Sequence, residues 1–223
     1  MLNYVVDARI LQPLVPAATE IDFDGDETFV SVVGFRFLDT RLLGLPIPLH
    51  RDFEEVNLRF YVRKKSADTW RRGVVFVREL VPRRAIAMVA RACYGENYLA
   101  VPMKHEIEHR DGNLSVEYSW RRGRKWESLK MCATGEPRNI PAGSHAEFIT
   151  EHYWGYTSLK SGCSEYRVEH PRWKIWDATN FELSADVAPL YGEQFVEPLK
   201  AVPRSAFIAE GSPISVERRE VLL

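Results

Sequence analysis

Residues 53–62 carry several side chains that could bind or transform a small polar molecule. If this stretch is a β-strand, its side chains alternate between two faces. One face then carries Phe53, Glu55, Asn57, Arg59 and Tyr61. These residues supply a carboxylate, an amide, a fixed cation and a hydroxyl. The opposite face is largely apolar and is predicted to be buried: Glu54, Val56, Leu58, Phe60 and Val62.

The polar face has two interpretations. Antiparallel sheets often leave one face in water, so Glu55 and Arg59 could form a solvated pair. Alternatively, both faces are covered and the polar face lines a cavity. Buried charges need partners or ligands, so the second interpretation predicts a binding site.

Other motifs are less informative in their context. Residues 105–109, His-Glu-Ile-Glu-His, match the zinc-protease pattern, but that site needs a helix. Pro102 and Asp111-Gly112 leave room only for a hairpin strand. The basic run at residues 120–126 is typical of a solvated hairpin tip. His170 is predicted either to pack against its neighbours and bond to the backbone, or to bind or transfer a proton at a cavity mouth.

The remaining pattern predicts an α+β fold that is mainly antiparallel β. Strands are expected at residues 28–38, 53–62, 73–80, 105–109, 114–120 and 126–133, with shorter ones near 156, 166–168, 175–181 and 207–208. Asp24-Gly25 and Asp111-Gly112 are hairpin signals, and residues 41–50 and 98–102 are expected to be connections. Helices are predicted at residues 8–14, 84–94 and 144–152, the last with a Ser144–Glu147 capping box. Meander order favours the antiparallel class, and a length of 223 residues without a credible linker favours one domain, residues 1–223.

Charge and composition exclude several classes of protein. Lys and Arg number 30 against 31 Asp and Glu, so net charge suggests no nucleic-acid or anionic-membrane partner. No apolar run approaches the roughly 20 residues of a membrane helix, and the N-terminus lacks a signal-peptide pattern. Three widely spaced cysteines fit free thiols in a reducing compartment. We therefore expect a cytoplasmic protein, and no motif predicts a cofactor or a metal.

The polar strand also carries a family resemblance. Phe53-x-Glu55-x-Asn57-x-Arg59-x-Tyr61-Val62, followed by Gly73-Val74-Val75-Phe76 and Ala90-Arg91, resembles the YqjF-like family of domains of unknown function. The opening Val6-Asp7 to Leu14-Val15-Pro16 and the segment 153–173, with His170-Pro171-x-Trp173, match as well. That family is distantly similar to the acetoacetate decarboxylase-like superfamily. The resemblance implies a β-cone or barrel around a central pocket.

The same resemblance raises the question of a catalytic lysine. Acetoacetate decarboxylases use a Pro-Lys-Lys motif, in which one lysine forms a Schiff base with the keto acid. The matching segment is Pro102-Met103-Lys104, so the lysine pair is broken. Either Lys104 is solvated, or a shift of one residue turns its amine into the cavity beside Glu55. Arg59 would then hold a substrate carboxylate, and Arg91 matches a superfamily arginine that is structural or catalytic.

Three functions remain open on these grounds. The first is a pocket that binds a small carboxylate or carbonyl compound without acetoacetate decarboxylase activity. Its ligand-binding residues would be Arg59, Asn57, Tyr61, Arg91 and His170. The second is a decarboxylase-like lyase on an oxo acid, with Lys104 and Glu55 as catalytic residues. The third is a structural or homo-oligomer-forming protein without a ligand.

Overall fold

Alternating apolar residues place most of this chain in long strands. A computed structural model describes residues 1–42, 45–46, 52–67, 69–83, 88, 95 and 97–222. The predicted helix at 84–94, the Ala90-Arg91 match and most of the connection at 41–50 lie outside the described residues. No helix in the described part of the chain is long and apolar enough to cross a membrane.

The strands are β1 Leu2–Val6, β2 Glu20–Ile21, β3 Thr28–Phe37, β4 Arg41–Leu42, β5 Leu45–Pro46, β6 Phe53–Ser66, β7 Thr69–Val81, β8 Tyr98–Ala100, β9 Met103–Arg110, β10 Asn113–Arg122, β11 Lys125–Thr134, β12 Arg138–Asn139, β13 Trp154–Leu159, β14 Gly162–Glu169, β15 Lys174–Ser184, β16 Ser205–Ala209, β17 Ser215–Val216 and β18 Glu220–Leu222. The α-helices are short: α1 Ala8–Leu11, α2 His145–Thr150, α3 Val187–Tyr191 and α4 Val196–Lys200. Two 3₁₀ turns, Gln12–Leu14 and Glu193–Phe195, adjoin α1 and α4.

One large sheet dominates the fold, with the strand order β17-β14-β13-β7-β6-β3-β1-β16-β15-β11-β10-β9. Most of its pairs are antiparallel, whereas β13 and β8 pair with β7 in parallel. The predicted class, mainly antiparallel β with a few short helices, is confirmed. The sheet curls without closing, so a cone is a loose description of it.

The curl brings the β9–β11 arm over one face of β3 and β6. The inner face of β6, with Leu58 and Phe60, belongs to the main apolar cluster together with Tyr118 and Trp120 of β10. The two layers touch closely at Gly34, where an added Cβ would lie 2.7 Å from the Tyr118 ring. The predicted burial of this apolar face is confirmed.

The opposite face of the same strands packs against α2. The Ser144 side chain accepts a hydrogen bond from the Glu147 amide, as the predicted capping box requires, although the helix ends at Thr150 rather than His152. Phe148 and Ile149 of α2 join a second apolar cluster with Phe29 and Tyr61. Helix α2 therefore covers one end of the polar strand.

Two local predictions are wrong in part or in whole, and two helices were missed. Asp24-Gly25 does form a turn, but the strand before it, β2, pairs with β6 and not with β3. Residues 98–100 form a strand beside β7 rather than a connection. Helices α3 and α4 were not predicted, because each has only five residues and the window 187–200 contains two prolines.

Candidate functional site

The polar face of β6, consisting of Glu55, Asn57, Arg59 and Tyr61, is covered and not solvated. Glu55, Asn57 and Tyr61 are each 1% exposed, and Arg59 is half-buried. The interpretation of this face as a solvated surface is therefore wrong. Polar groups removed from water must be satisfied by other protein groups or by a ligand, so their partners decide what the face can do.

Glu55 belongs to a buried group of polar side chains at one end of this face. The Asn57 amide donates to one Glu55 oxygen at 2.9 Å, and the Tyr98 hydroxyl donates to the other at 3.3 Å. Asn57 lies directly opposite Glu79 of β7, and Glu79 lies beside Tyr98 of β8. The pairing of β7 with β6 and with β8 therefore brings a second carboxyl into the group. Glu79 is 2% exposed.

Burial makes Glu55 a weak acid. Loss of water raises the pKa of Glu55 from 4.5 to about 7, although hydrogen bonds from Asn57 and Tyr98, the charge of Arg59 and a hydrogen bond with Glu79 oppose the rise. The pKa of Tyr98 is raised well above 10 by burial and by the charges of Glu55 and Glu79, so its hydroxyl stays a neutral donor. A carboxyl with this pKa can either accept or donate a proton near neutral pH.

Arg59 lies farther along the face, under α2. Its guanidinium donates to the carbonyl of Ile149 at 3.3 Å and lies 5.7 Å from the centre of the Tyr61 ring. Among the described residues it forms no salt bridge with a carboxylate. This half-buried cation therefore has weak partners only.

Two buried atoms of the polar face have no hydrogen-bond partner among the described residues. They are Oδ1 of Asn57, an acceptor, and Nε of Arg59, a donor. An unsatisfied buried polar atom costs about 1–3 kcal/mol, so such atoms are rare in folded proteins. The two residues are next neighbours on one face, with Cα atoms roughly 7 Å apart.

Lys104 does not join this group. It is exposed on β9, and its Nζ lies 5.0 Å from the centre of the Trp126 ring on the outer side of the β9–β11 arm. Met103, with the opposite orientation, packs against the main apolar cluster on the inner side of β6. This placement does not support a Schiff-base role for Lys104 beside Glu55.

A carboxylate–histidine pair near Met103 was not predicted from the sequence. Nδ1 of His105 lies 2.6 Å from a Glu54 oxygen, and both side chains are largely buried. The sequence feature that could have indicated this pair is Glu54, a charged residue at the start of an otherwise apolar face of β6. His105 belongs to the zinc-protease-like motif, whose predicted hairpin strand is confirmed as β9.

His170 lies away from the polar face. Its ring stacks on Trp173 at 4.1 Å and on Tyr153 at 4.8 Å, and its Nδ1 lies 2.9 Å from the Pro171 carbonyl. These contacts match the packing role. They give no support to a role as ligand or proton donor in the same site as Glu55.

A separate cavity of about 330 Å³ lies between α2 and the ends of β2 and β7. Its charged groups already have partners: Arg72 donates to Asp22 at 2.6 Å, and Asp24 lies 2.6 Å from His145. His152, also bonded to Asp22, has a pKa lowered from 6.5 to about 4, chiefly by burial. These contacts fasten α2 to the sheet.

Solved structures with the same fold are acetoacetate decarboxylase-like proteins. An acetoacetate decarboxylase from Legionella pneumophila matches all of this chain and 83% of its own, with 14% identity and a TM-score of 0.63. An acetoacetate decarboxylase-like enzyme from Sphingomonas wittichii matches 100% and 90% of the two chains, with 16% identity and a TM-score of 0.58. The enduracididine biosynthesis enzyme MppR matches 99% and 84%, with 10% identity and a TM-score of 0.64. At these identities the likeness establishes the fold alone.

Sequence comparison identifies the family. A search of curated proteins found no match. Residues 1–213 match the family DUF2071, described as an uncharacterized conserved protein, and this match spans nearly the whole chain. The chain thus belongs to the DUF2071 family, which is the YqjF-like family that the polar strand resembles.

Proposed function

We propose that this protein binds a small carboxylate that carries a second oxygen, as a carbonyl or hydroxyl, on the polar face of β6. The observation that carries the proposal is a pair of buried atoms that have no partner among the described residues, Nε of Arg59 and Oδ1 of Asn57. Because the Arg59 guanidinium has no carboxylate partner in the described part of the chain, it favours an anion, which it can bind through two parallel hydrogen bonds. The ligand would supply a hydrogen-bond acceptor for Arg59 Nε and a donor for Asn57 Oδ1.

The neighbouring groups suit the rest of such a ligand. A carboxylate at Arg59 leaves the adjacent part of the molecule over Asn57, toward Glu55 and the Tyr98 hydroxyl. A hydroxyl there can donate to Asn57 Oδ1, whereas a carbonyl can accept from the protonated form of Glu55. The spacing along one strand limits the ligand to a few carbon atoms.

One structural neighbour supports this ligand class. MppR is described in a complex with pyruvate, a small carboxylate with an adjacent carbonyl; that structure covers 92% of this chain at 12% identity, with a TM-score of 0.59. The fold is therefore compatible with a ligand of this type.

Binding without Schiff-base chemistry is favoured over an oxo-acid lyase that uses Lys104. The Lys104 amine lies outside, over Trp126, and Met103 stands at the position matched to the Schiff-base lysine. Borohydride treatment with a keto acid should therefore leave the intact mass unchanged. A covalent adduct that Lys104→Ala abolishes would restore the lyase proposal.

Thermal denaturation with a ligand panel tests the binding proposal. The panel is pyruvate, lactate, acetoacetate and 3-hydroxybutyrate, and we expect at least one to raise the Tm. A ligand at 100 times its Kd contributes about 2.7 kcal/mol, or roughly 5–10 °C for a chain of this size. Arg59→Ala should abolish the rise, measured against its own ligand-free Tm.

Two controls make this result specific. Arg63→Ala removes another arginine of β6, one that pairs with the exposed Glu20, and should keep the full ligand response. Arg59→Lys keeps the charge without the planar fork and should keep part of it. No response to any ligand, or an equal response in Arg59→Ala, would defeat the proposal. If NMR shows turnover of the bound ligand, the protein is an enzyme and not only a binding protein.

A further inference from the structure

A directional chain of hydrogen bonds runs from beneath α2 to the protein surface. Tyr61 Oη lies 2.6 Å from Ser31 Oγ, and Ser31 Oγ donates to Asn3 Oδ1 at 2.6 Å. The Asn3 amide donates to Ser205 Oγ at 2.8 Å. Ser205 Oγ lies 3.1 Å from His145 Nε2, and His145 Nδ1 lies 2.6 Å from Asp24 Oδ2.

The chemistry of these groups fixes the direction of each bond. The carboxylate of Asp24 can only accept, so Nδ1 of His145 carries a proton. In neutral imidazole Nε2 is then a bare acceptor that faces the Ser205 hydroxyl. Because Ser205 Oγ already accepts from Asn3, its own hydrogen is free to point at His145.

Serine, histidine and aspartate are therefore connected as a nucleophile, a base and the group that orients the base. His145 and Asp24 come from the start of α2 and the turn after β2, and Ser205 begins β16, so three separate elements converge. The His145 and Asp24 side chains are 25% and 32% exposed, and Ser205 is half-buried. The Phe29 ring, 4.6 Å from His145, limits the freedom of the imidazole.

We propose that Ser205, with His145 as base, attacks small activated carboxylic esters, and that Asp24 and Asn3 are positioning residues. The site is distinct from the proposed ligand face, because Ser205, His145 and Asp24 lie on β16, α2 and the turn after β2, whereas that face belongs to β6. Ser205 is half-buried, which favours a short acyl group.

The reaction conserves atoms and protons. Oγ of Ser205 bonds to the ester carbonyl carbon while its proton moves to Nε2 of His145. The bond to the leaving oxygen then breaks, and that oxygen takes the proton from His145. Water next attacks the acyl-serine with the same histidine as base. The products are one carboxylic acid and one alcohol or phenol, and no oxidant, reductant or other reactant is needed.

A fluorophosphonate probe and p-nitrophenyl acetate test this proposal on the full chain. We expect one phosphonyl group per molecule by intact mass, mapped by peptide analysis to Ser205. With p-nitrophenyl acetate we expect a burst of p-nitrophenol near one equivalent. Both signals should disappear in Ser205→Ala. His145→Gln, which cannot act as a base, and Asp24→Asn should react at least tenfold more slowly.

The controls separate catalysis from structure. Ser215→Ala removes an exposed serine and should react as wild type does. A merely structural hydrogen bond would change the Tm of these variants but would not make Ser205 reactive. No label on the wild-type protein, a label on another residue, or an undiminished rate in His145→Gln would overturn the proposal. Because the label is mapped on the wild-type protein, the proposal can be refuted even where a variant fails to fold.

Discussion

Replacing Glu55 by Gln should make the protein more stable above neutral pH. Glu55 is 1% exposed, and burial raises its pKa from 4.5 to about 7. Below pH 4.5 the carboxyl is protonated in both folded and unfolded states. As the pH rises from about 4.5 to about 7, the unfolded state loses its proton first, so the free energy of unfolding falls. Above about pH 7 this decrease in the free energy of unfolding has reached its full size.

The gap between the two pKa values corresponds to about 3 kcal/mol at pH 8. Glutamine has nearly the same volume and cannot ionise. Its oxygen can accept from the Asn57 amide, and its amide can donate toward Glu79. Glu55→Gln should therefore differ little from wild type near pH 4.5 and be more stable by about 3 kcal/mol at pH 8.

Urea denaturation of both proteins from pH 4.5 to pH 8 measures this difference. The wild-type curve alone is not sufficient, because buried His152 titrates in the opposite sense and offsets Glu55 between about pH 4.5 and 6.5. The difference between the two proteins removes that contribution. Glu106→Gln, a change at an exposed glutamate of β9, should follow wild type. A stability difference that stays constant over this range would refute the account of Glu55.

Three further perturbations give separate tests. Wild type should lose about 3 kcal/mol of its free energy of unfolding on acidification from pH 6.5 to 4, because only the unfolded state readily protonates buried His152. His152→Gln should remove this loss, which urea denaturation at the two pH values measures. Equal acid sensitivity of the two proteins would contradict the prediction. Gly73→Ala should lower the free energy of unfolding by about 1–3 kcal/mol, because the new Cβ would lie 2.6 Å from the backbone oxygen of Trp154; a wild-type denaturation midpoint would contradict this. Tyr61→Phe should cost about 1–2 kcal/mol in the same assay, because it removes the hydrogen bond to Ser31, and an unchanged stability would show that this bond contributes nothing.

The long strands could be predicted from the sequence because period-two patterns record the two faces of a sheet. The predictions at 28–38 and 114–120 lie within a residue or two of β3 and β10. Pairing partners could not be predicted in the same way. The turn at Asp24-Gly25 is a local property, whereas the pairing of β2 with β6 depends on how the whole sheet curls. The short helices α3 and α4 are held by tertiary packing rather than by any strong local signal.

The candidate site shows the same limit. Alternation correctly grouped Glu55, Asn57 and Tyr61, because parity along a strand is fixed by covalent geometry. The contribution of Glu79 and Tyr98 could not be predicted, since it depends on the register of β7 and β8 beside β6. The same is true of the hydrogen bonds that connect Asn3, Ser205 and His145, since these residues are far apart in the sequence.

Parity also decides which carboxylate a lysine at the superfamily position would meet. Met103 and His105 share one face of β9, and His105 lies 2.6 Å from Glu54 on the inner side of β6. Lys104 must point the other way, so shifting an alignment by one residue does not bring an amine to Glu55. A lysine introduced by Met103→Lys would lie on the face that carries the Glu54–His105 pair. In this chain, Glu54 rather than Glu55 is therefore the carboxylate that a lysine amine at position 103 would approach.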